Sequence, residues 1–226
     1  MGNSENNYVY LAGVENTSIT SVTVNQNCKF IGDGVFRRCY SLETVNLPNN
    51  LMGIGSDAFY ECNSLSSINI PDGVTSIGSY AFYNCNSLPS IALPNSLNKI
   101  DDGVFSGCSS LAYNVKDGIN YLGNSDNNYL YLANVSNTNI ITTATIEENC
   151  KFIGTSAFAY CSKLRSVVIP SSVISIGSSA FNQCETLQTI NYKGSKSDWD
   201  SIDMDRTRRD NNKYLLDATI VYDYQP

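Results

Sequence analysis

The chain of 226 residues is 42% hydrophobic but only 15% charged, with a net charge of −7 and a pI near 4.5. That acidic balance argues against nucleic acid as a partner, because such binding depends on clustered Lys and Arg, and it offers no attraction to an anionic membrane surface. The sequence has no histidine, which excludes Ser-His-Asp and Cys-His nucleophiles, His general bases and His-bearing metal sites, leaving carboxylate pairs or lone cysteines for catalysis.

In chain order, a polar turn Gly2-Asn3-Ser4-Glu5-Asn6-Asn7 leads into Tyr8-Val9-Tyr10-Leu11. Ile19-x-x-Val22-x-Val24 then alternates apolar and polar residues as a half-buried strand does. Beyond Cys28 a fixed step takes over. Phe36, Phe59, Phe82 and Phe105 stand 23 residues apart, and Phe158 and Phe181 repeat the step. Three residues after each comes a Cys (Cys39, Cys62, Cys85, Cys108, Cys161, Cys184), and three further on a Leu (Leu42, Leu65, Leu88, Leu111, Leu164, Leu187). A fixed period of this length marks a solenoid, whose units bury their apolar faces only against their neighbours.

Each coil reads as strand, turn, short strand and helical turn. The alternating Leu-x-x-Ile-x-Ile/Leu ends at a Pro, which has no N–H for a ladder, so strands are predicted leading into Val45–Pro48, Ile68–Pro71, Ile91–Pro94 and Val167–Pro170. The following Val/Leu-x-x-Ile-Gly predicts a second short extended piece, turned by Gly32, Gly55, Gly78, Gly154 and Gly177. Ala-Phe-x-x-Cys-x-x-Leu, spaced by threes, predicts one short helical turn that brings Phe, Cys and Leu to one side.

Eight cysteines suggest a disulfide framework, but the period overrides that reading. Six share one coil position, and Cys28 and Cys150 fall where Leu51, Val74 and Leu97 stand in other coils. Equivalent positions lie about 4.8 Å apart with side chains pointing the same way, a poor geometry for bridging. The prediction is a ladder of buried free thiols; a zinc site is the weaker alternative, since no CxxC pair occurs.

Ile119-Asn120-Tyr121-Leu122 and Tyr129–Leu132 flank a Gly-Asn-Ser-Asp turn and predict a β-hairpin. Because it replaces an Ala-Phe-x-x-Cys turn, it is expected to project from one edge. Gly2–Leu11 corresponds to Gly123–Leu132, and Asn27–Gly32 to Asn149–Gly154, a second period of 121 to 122 residues. The first copy lacks the leading strand. Tyr8–Leu11 is therefore expected without the partner that Asn120–Leu122 gives Tyr129–Leu132, and the chain reads as a fragment of something longer. After Tyr192 the step stops, and Lys193–Pro226, with the single Trp199 and an apolar Ala218–Tyr222, suits a terminal cap. The predicted organisation is one domain, 1–226: a first repeat block 1–115, an inserted hairpin 116–137, a second repeat block 138–192 and a cap 193–226.

The unit Ile-Gly-x-x-Ala-Phe-x-x-Cys-x-x-Leu-x-x-Ile-x-Ile-Pro resembles the BspA-like, or Treponema pallidum-type, leucine-rich repeat over about residues 17–115 and 138–192. The resemblance implies an α/β fold, a right-handed solenoid of about eight 23-residue coils and roughly 40 Å in length. It also implies a secreted or surface protein of a bacterium or parasitic protist, used in adhesion or protein binding, with no shared catalytic residues.

In leucine-rich repeats the strand sheet is where partners usually dock. Its outward row here is Thr23, Asn46, Asn69, Ala92, Thr145, Val168 and Asn191, beside a second row of Ser and Thr from Ser21 to Thr189. Both rows are uncharged and free of aromatics, and such residues also serve simply as strand-compatible surface. A second candidate is a tyrosine edge of Tyr40, Tyr60, Tyr80, Tyr83, Tyr113 and Tyr160; the third is the hairpin, with Tyr121, Tyr129 and Tyr131. Asp198, Asp200, Asp203 and Asp205 invite a calcium reading but lack the EF-hand spacing and its glycine, and with Arg206, Arg208 and Arg209 they read as a solvated loop. Arg37-Arg38 is read as solvated surface in the same way. The functional expectation is a non-catalytic protein-binding or adhesion module of a secreted or cell-surface protein, or alternatively a glycan- or cell-wall-binding module. Its partner would be a host or microbial surface protein, or a glycan. No cofactor, metal, nucleic acid or membrane insertion is expected.

Overall fold

The computed structural model describes residues 10–11, 18–206 and 209–226. It forms two compact units, Met1–Tyr113 and Asn114–Pro226, built from about seven turns of about 23 residues with few helices. In the first unit the strands are β1 (Tyr10–Leu11), β2 (Ser21–Thr23), β3 (Phe30–Ile31), β4 (Thr44–Asn46), β5 (Gly53–Ile54), β6 (Ser67–Ile68), β7 (Ser76–Ile77) and β8 (Lys99–Ile100). They sort by coil position into two sheets, β2-β4-β6 and β1-β3-β5-β7-β8. Neighbouring strands are parallel and one repeat apart: Val22 faces Val45, which faces Ile68, and Ile54 faces Ile77, which faces Ile100. The alternation that predicted strands thus points one side of each into the core.

The strand expected at Ile91–Pro94 is not formed; only Ala92 makes a bridge. The cause lies two residues before Ile91. In other coils this residue donates its N–H to the coil before, as Ser66 does to the Glu43 carbonyl at 2.9 Å and Gln188 to the Arg165 carbonyl at 2.9 Å. Here it is Pro89, which has nothing to donate.

The Phe-x-x-Cys-x-x-Leu stretch takes the form of successive turns. Cys39 N–H donates to the Phe36 carbonyl and Leu42 N–H to the Cys39 carbonyl, both at 3.0 Å. Between these turns the backbone bonds to the next coil: Phe36 N–H reaches the Ala58 carbonyl at 2.8 Å, Phe59 that of Ala81 at 2.7 Å, and Phe82 that of Val104 at 3.0 Å. In each of the six coils that carry the Phe, two residues adopt left-handed φ, the second before and the second after it: Gly34 and Arg38, Asp57 and Glu61, Tyr80 and Asn84, Gly103 and Gly107, Ser156 and Tyr160, Ser179 and Gln183. These reversals keep the stretch from continuing as an α-helix. The coil glycines have another task than turning. A Cβ on Gly78 would lie 2.5 Å from the Ser56 nitrogen of the previous coil, so close coil approach, not φ, requires glycine there.

The Phe rings stack with centroids 5.1 Å (Phe36–Phe59), 5.2 Å (Phe59–Phe82), 5.8 Å (Phe82–Phe105) and 4.9 Å (Phe158–Phe181). All eight cysteines are free and buried. Their thiols also donate to backbone: Cys62 Sγ lies 3.0 Å from the Phe36 carbonyl oxygen, and Cys85, Cys108 and Cys184 repeat the contact to Phe59, Phe82 and Phe158 at 3.2, 2.9 and 3.1 Å. A Cys here is therefore both a small hydrophobe and a weak bond between coils.

The second unit contains β9 (Asn114–Lys116), β10 (Ile119–Leu122), β11 (Tyr131–Val135), β12 (Thr143–Thr145), β13 (Phe152–Ile153), β14 (Ser166–Ile169), β15 (Ser175–Ile176), β16 (Thr189–Tyr192), α1 (Lys196–Ser201), α2 (Arg209–Asp217) and β17 (Thr219–Val221). Its sheets are β15-β13-β11-β10-β9 and β12-β14-β16-β17. The expected hairpin is present, with Leu122 opposite Tyr131 and Ile119 opposite Val135. It does not project. β11 pairs in parallel with β13, so the hairpin continues the short-strand sheet and buries Ile119, Leu122, Leu130 and Leu132. A further strand, β9, pairs with β10 across Asp117 and Gly118, both with positive φ; Asp-Gly is a strong hairpin signal. In the first unit β1 pairs with β3 as β11 does with β13. The expectation that Tyr8–Leu11 lacks a hairpin partner rests on residues 1–9, which lie outside the described residues.

The cap closes each backbone ladder of the second unit with a different device. β17 adds to β16 as the next strand. Asp203 bridges to Ser175, with Ile176 N–H donating to the Asp203 carbonyl at 2.9 Å. The third ladder meets a side chain: Phe181 N–H donates to Asn212 Oδ1 at 3.1 Å, and Asn212 Nδ2 donates to the Gly177 carbonyl at 3.1 Å. Trp199, Ile202 and Leu215 join the core, and Trp199 meets Tyr192 edge-on at 5.2 Å.

Candidate functional site

The strand-face row is where the sequence placed it. Thr23, Asn46, Asn69 and Thr145 are exposed and Asn191 is partly so. The row bonds partly to itself, Asn46 Nδ2 donating to Thr23 Oγ1 at 3.2 Å. It carries no aromatic anchor.

The hairpin tyrosines divide. Tyr121 and Tyr131 are core residues, 0% and 5% exposed, because β10 and β11 lie inside the sheet; neither can present its ring to a ligand. Burial pushes the Tyr121 phenol above its ordinary range. Tyr129 is partly exposed, meeting Tyr121 edge-on at 5.2 Å, with the Lys116 ammonium 5.9 Å from its ring centre. The aspartates of the cap have structural partners. Asp198 accepts from the Ser195 amide and hydroxyl at 2.9 and 2.7 Å, a capping box that holds its carboxyl below its ordinary range, and Asp200 pairs with Lys196.

The tyrosine edge of the first unit is different. Tyr60 and Tyr83 occupy one coil position, one step apart, and stack at 4.8 Å between centroids. Tyr80 meets Tyr83 edge-on at 5.8 Å and an interplanar angle of 80°. The Arg37 guanidinium, one coil earlier in the same column, lies 4.3 Å from the Tyr60 ring centre and pairs with Asp57. Arg37, Asp57, Tyr60, Tyr80 and Tyr83 line an open cleft of about 350 Å³. Tyr80 reaches this place because the next coil has Gly103, where a Cβ would lie 2.4 Å from the Tyr80 ring. Arg38 pairs with Glu61 at 3.0 Å, and the Tyr40 hydroxyl lies 3.4 Å from the same carboxylate. Arg37 and Arg38, expected as a bare solvated pair, are thus each held by a carboxylate from the following coil. Burial, with Glu61 beside it, raises the Tyr60 phenol, which stays neutral. Tyr160 belongs to the second unit and Tyr113 is partly buried, outside the cleft lining.

Sequence reasoning named the three cleft tyrosines but missed Arg37, Asp57 and Gly103. Writing the coils under one another would have shown Arg37, Tyr60 and Tyr83 in one column and Asp57, Tyr80 and Gly103 in another.

Residues 13–133 and 124–202 match the BspA type leucine rich repeat region, in six copies. The chain belongs to this family. Its fold is similar to that of a leucine-rich repeat protein of T. pallidum, with 24% identity and a TM-score of 0.52 over 85% of this chain and 81% of that one. More distant similarities are to a leucine-rich repeat protein from Bacteroides ovatus (24% identity, TM-score 0.39, 77% of this chain and 55% of that one) and to the pneumococcal vaccine antigen PcpA (17%, 0.39, 81% and 65%). A search of the curated proteins found no match. Leucine-rich repeat families are typically protein-interaction modules and generally non-catalytic scaffolds. No helix among the described residues is long and apolar enough to cross a membrane.

Proposed function

We propose that the chain is a non-catalytic protein-binding or adhesion module of a secreted or cell-surface protein, residues 1–226 acting as one repeat domain. The observation that carries this reading is the Arg37-Tyr60-Tyr83 column with Tyr80 against it: Tyr and Arg in a cleft are the residues that anchor protein interfaces. The uncharged rows Thr23, Asn46 and Asn69 in one unit, and Thr145 and Asn191 in the other, with Tyr129, would supply wider complementarity without anchors. A surface location is carried over from the resemblance to BspA-like proteins. Buried thiols suit it, since they neither pair with one another nor meet external oxidants.

Stacked, charge-balanced tyrosines also favour the glycan alternative. Screening the immobilised chain against surface proteins and polysaccharides separates the two. A protein partner lost on Tyr83→Ser but kept on Thr23→Ala supports the proposal. A polysaccharide bound in its place would select the alternative, and a partner indifferent to Tyr83 would remove the cleft from either.

A further inference from the structure

Resting on the protein-binding reading, we infer that the cleft of Arg37, Tyr60, Tyr80 and Tyr83 receives an uncharged, proline-rich segment of the partner in the polyproline II conformation. Three observations select this chemistry. The first is charge: Arg37 is neutralised by Asp57 and Arg38 by Glu61, so the cleft favours neither an acidic nor a basic segment.

The second is shape. The column ends at Tyr83, because the next coil carries Ser106 at that position, with Asn84 N–H bonded to the Ser106 carbonyl at 2.9 Å. Tyr80 stands at 80° to Tyr83. Two aromatic faces at a right angle beside a small side chain form a notch for a flat, rigid, apolar ring. Aromatic-lined grooves take proline rings in this way, and the preformed polyproline II helix loses little entropy on docking.

The third is hydrogen bonding. The hydroxyls of Tyr60, Tyr80 and Tyr83 have no hydrogen-bond partner among the described residues, whereas the carboxylates of Asp57 and Glu61 are already engaged. The free polar groups are therefore phenol hydroxyls, and the carboxylate in the lining, Asp57, is held by Arg37. A polyproline II segment matches that set, since its carbonyls are unbonded acceptors and its prolines have no N–H.

The test uses the whole chain and a fluorescently labelled oligoproline of about ten residues, with a Gly-Ser peptide of equal length as control. Tyr83→Ser and Tyr80→Gly place in this coil the residues the next coil already has, Ser106 and Gly103, so the coil is kept. We expect oligoproline binding that these variants weaken by at least about tenfold while Tyr160→Gly leaves it unchanged and melting curves confirm folding. Absence of oligoproline binding, or equal binding by all variants, overturns the inference. A random peptide library and a glycan array on the same chains separate the two levels. Proline-free peptides lost on Tyr83→Ser overturn the proline inference but keep the protein-binding reading. Glycans alone, lost on Tyr83→Ser, overturn both.

Discussion

The amide of Phe181 donates to the side-chain oxygen of Asn212 as the amide of Phe158 donates to the backbone carbonyl of Ala180, at 3.1 and 2.7 Å. One carboxamide thus stands in for the coil that does not follow. Asn212 is fully buried and leaves helical geometry within α2, at φ −129° and ψ 32°, to reach that position.

Asn212→Ala should therefore cost more than a surface polar substitution. It leaves the Phe181 N–H without a partner in a buried place and takes from the Gly177 carbonyl one of its two donors, the other being the Ala180 N–H, a loss of about 1–3 kcal/mol by chemical denaturation. Hydrogen exchange should show the Phe181 amide losing protection first. Unchanged protection there would show that the amide has another acceptor.

The left-handed positions give a second expectation. Tyr160 has φ 64° and is 65% exposed, so its side chain contributes little packing against the strain of its backbone. Tyr160→Gly should be neutral or stabilising, and Tyr160→Val destabilising by about 1–2 kcal/mol, read as melting temperature. Val tolerated as well as Gly would mean the backbone relaxes away from this conformation.

Phe82 and Phe181 are both fully buried, but Phe82 stacks on two phenylalanines and Phe181 on one. Truncation to Ala should cost about 3–5 kcal/mol at either site, with Phe82 the worse by about 0.5–1.5 for its second ring contact. Equal losses in denaturant titrations would show that the cap core around Trp199 compensates.

Burial pushes the thiols of Cys62, Cys150 and Cys184 up to about 12, from an ordinary value of 9.0. The folded state thus favours the protonated form. That stabilisation is whole below about pH 9 and is lost as pH rises from about 9 to 12. With no histidine to titrate, the contribution of these groups to melting temperature should be flat from about pH 6 to 8 and fall above about 9. A thiol reagent at about pH 8 should find no cysteine in the native chain and all eight in guanidinium. Rapid native labelling would contradict the buried ladder.

What could be read from residues alone was the part carried by large apolar side chains. Phe36 to Phe181, their cysteines and their leucines repeat in kind, and burial acts on kind. The left-handed positions escaped because Tyr80, Glu61 and Tyr160 hide there; Gly34, Gly103 and Gly107 in the same columns were the visible sign. The hairpin's place inside the sheet is hidden because loss of an Ala-Phe-x-x-Cys turn suggests an expelled segment, whereas Tyr131 and Leu132 pair with Phe152 and Ile153 as the neighbouring short strand. The cleft needed columns, since Arg37 and Tyr60 meet only across one coil. Asn212 had no sequence signal: a side chain replacing backbone 31 residues away follows no pattern of spacing.

The ladders between coils have a mechanical consequence. Each bond joins a residue to one about a full coil away, as Phe36 to Ala58 or Gly55 to Ile31, so the coils hold only their neighbours. Pulled at its C-terminus, the second unit should first yield β17 and the Asn212 contact, then unspool coil by coil. Each released coil of 23 residues lengthens the tether by at most about 80 Å, a sawtooth that a single-molecule force trace would resolve. A chain built this way lengthens in small steps, where a single cooperative core would give way at once.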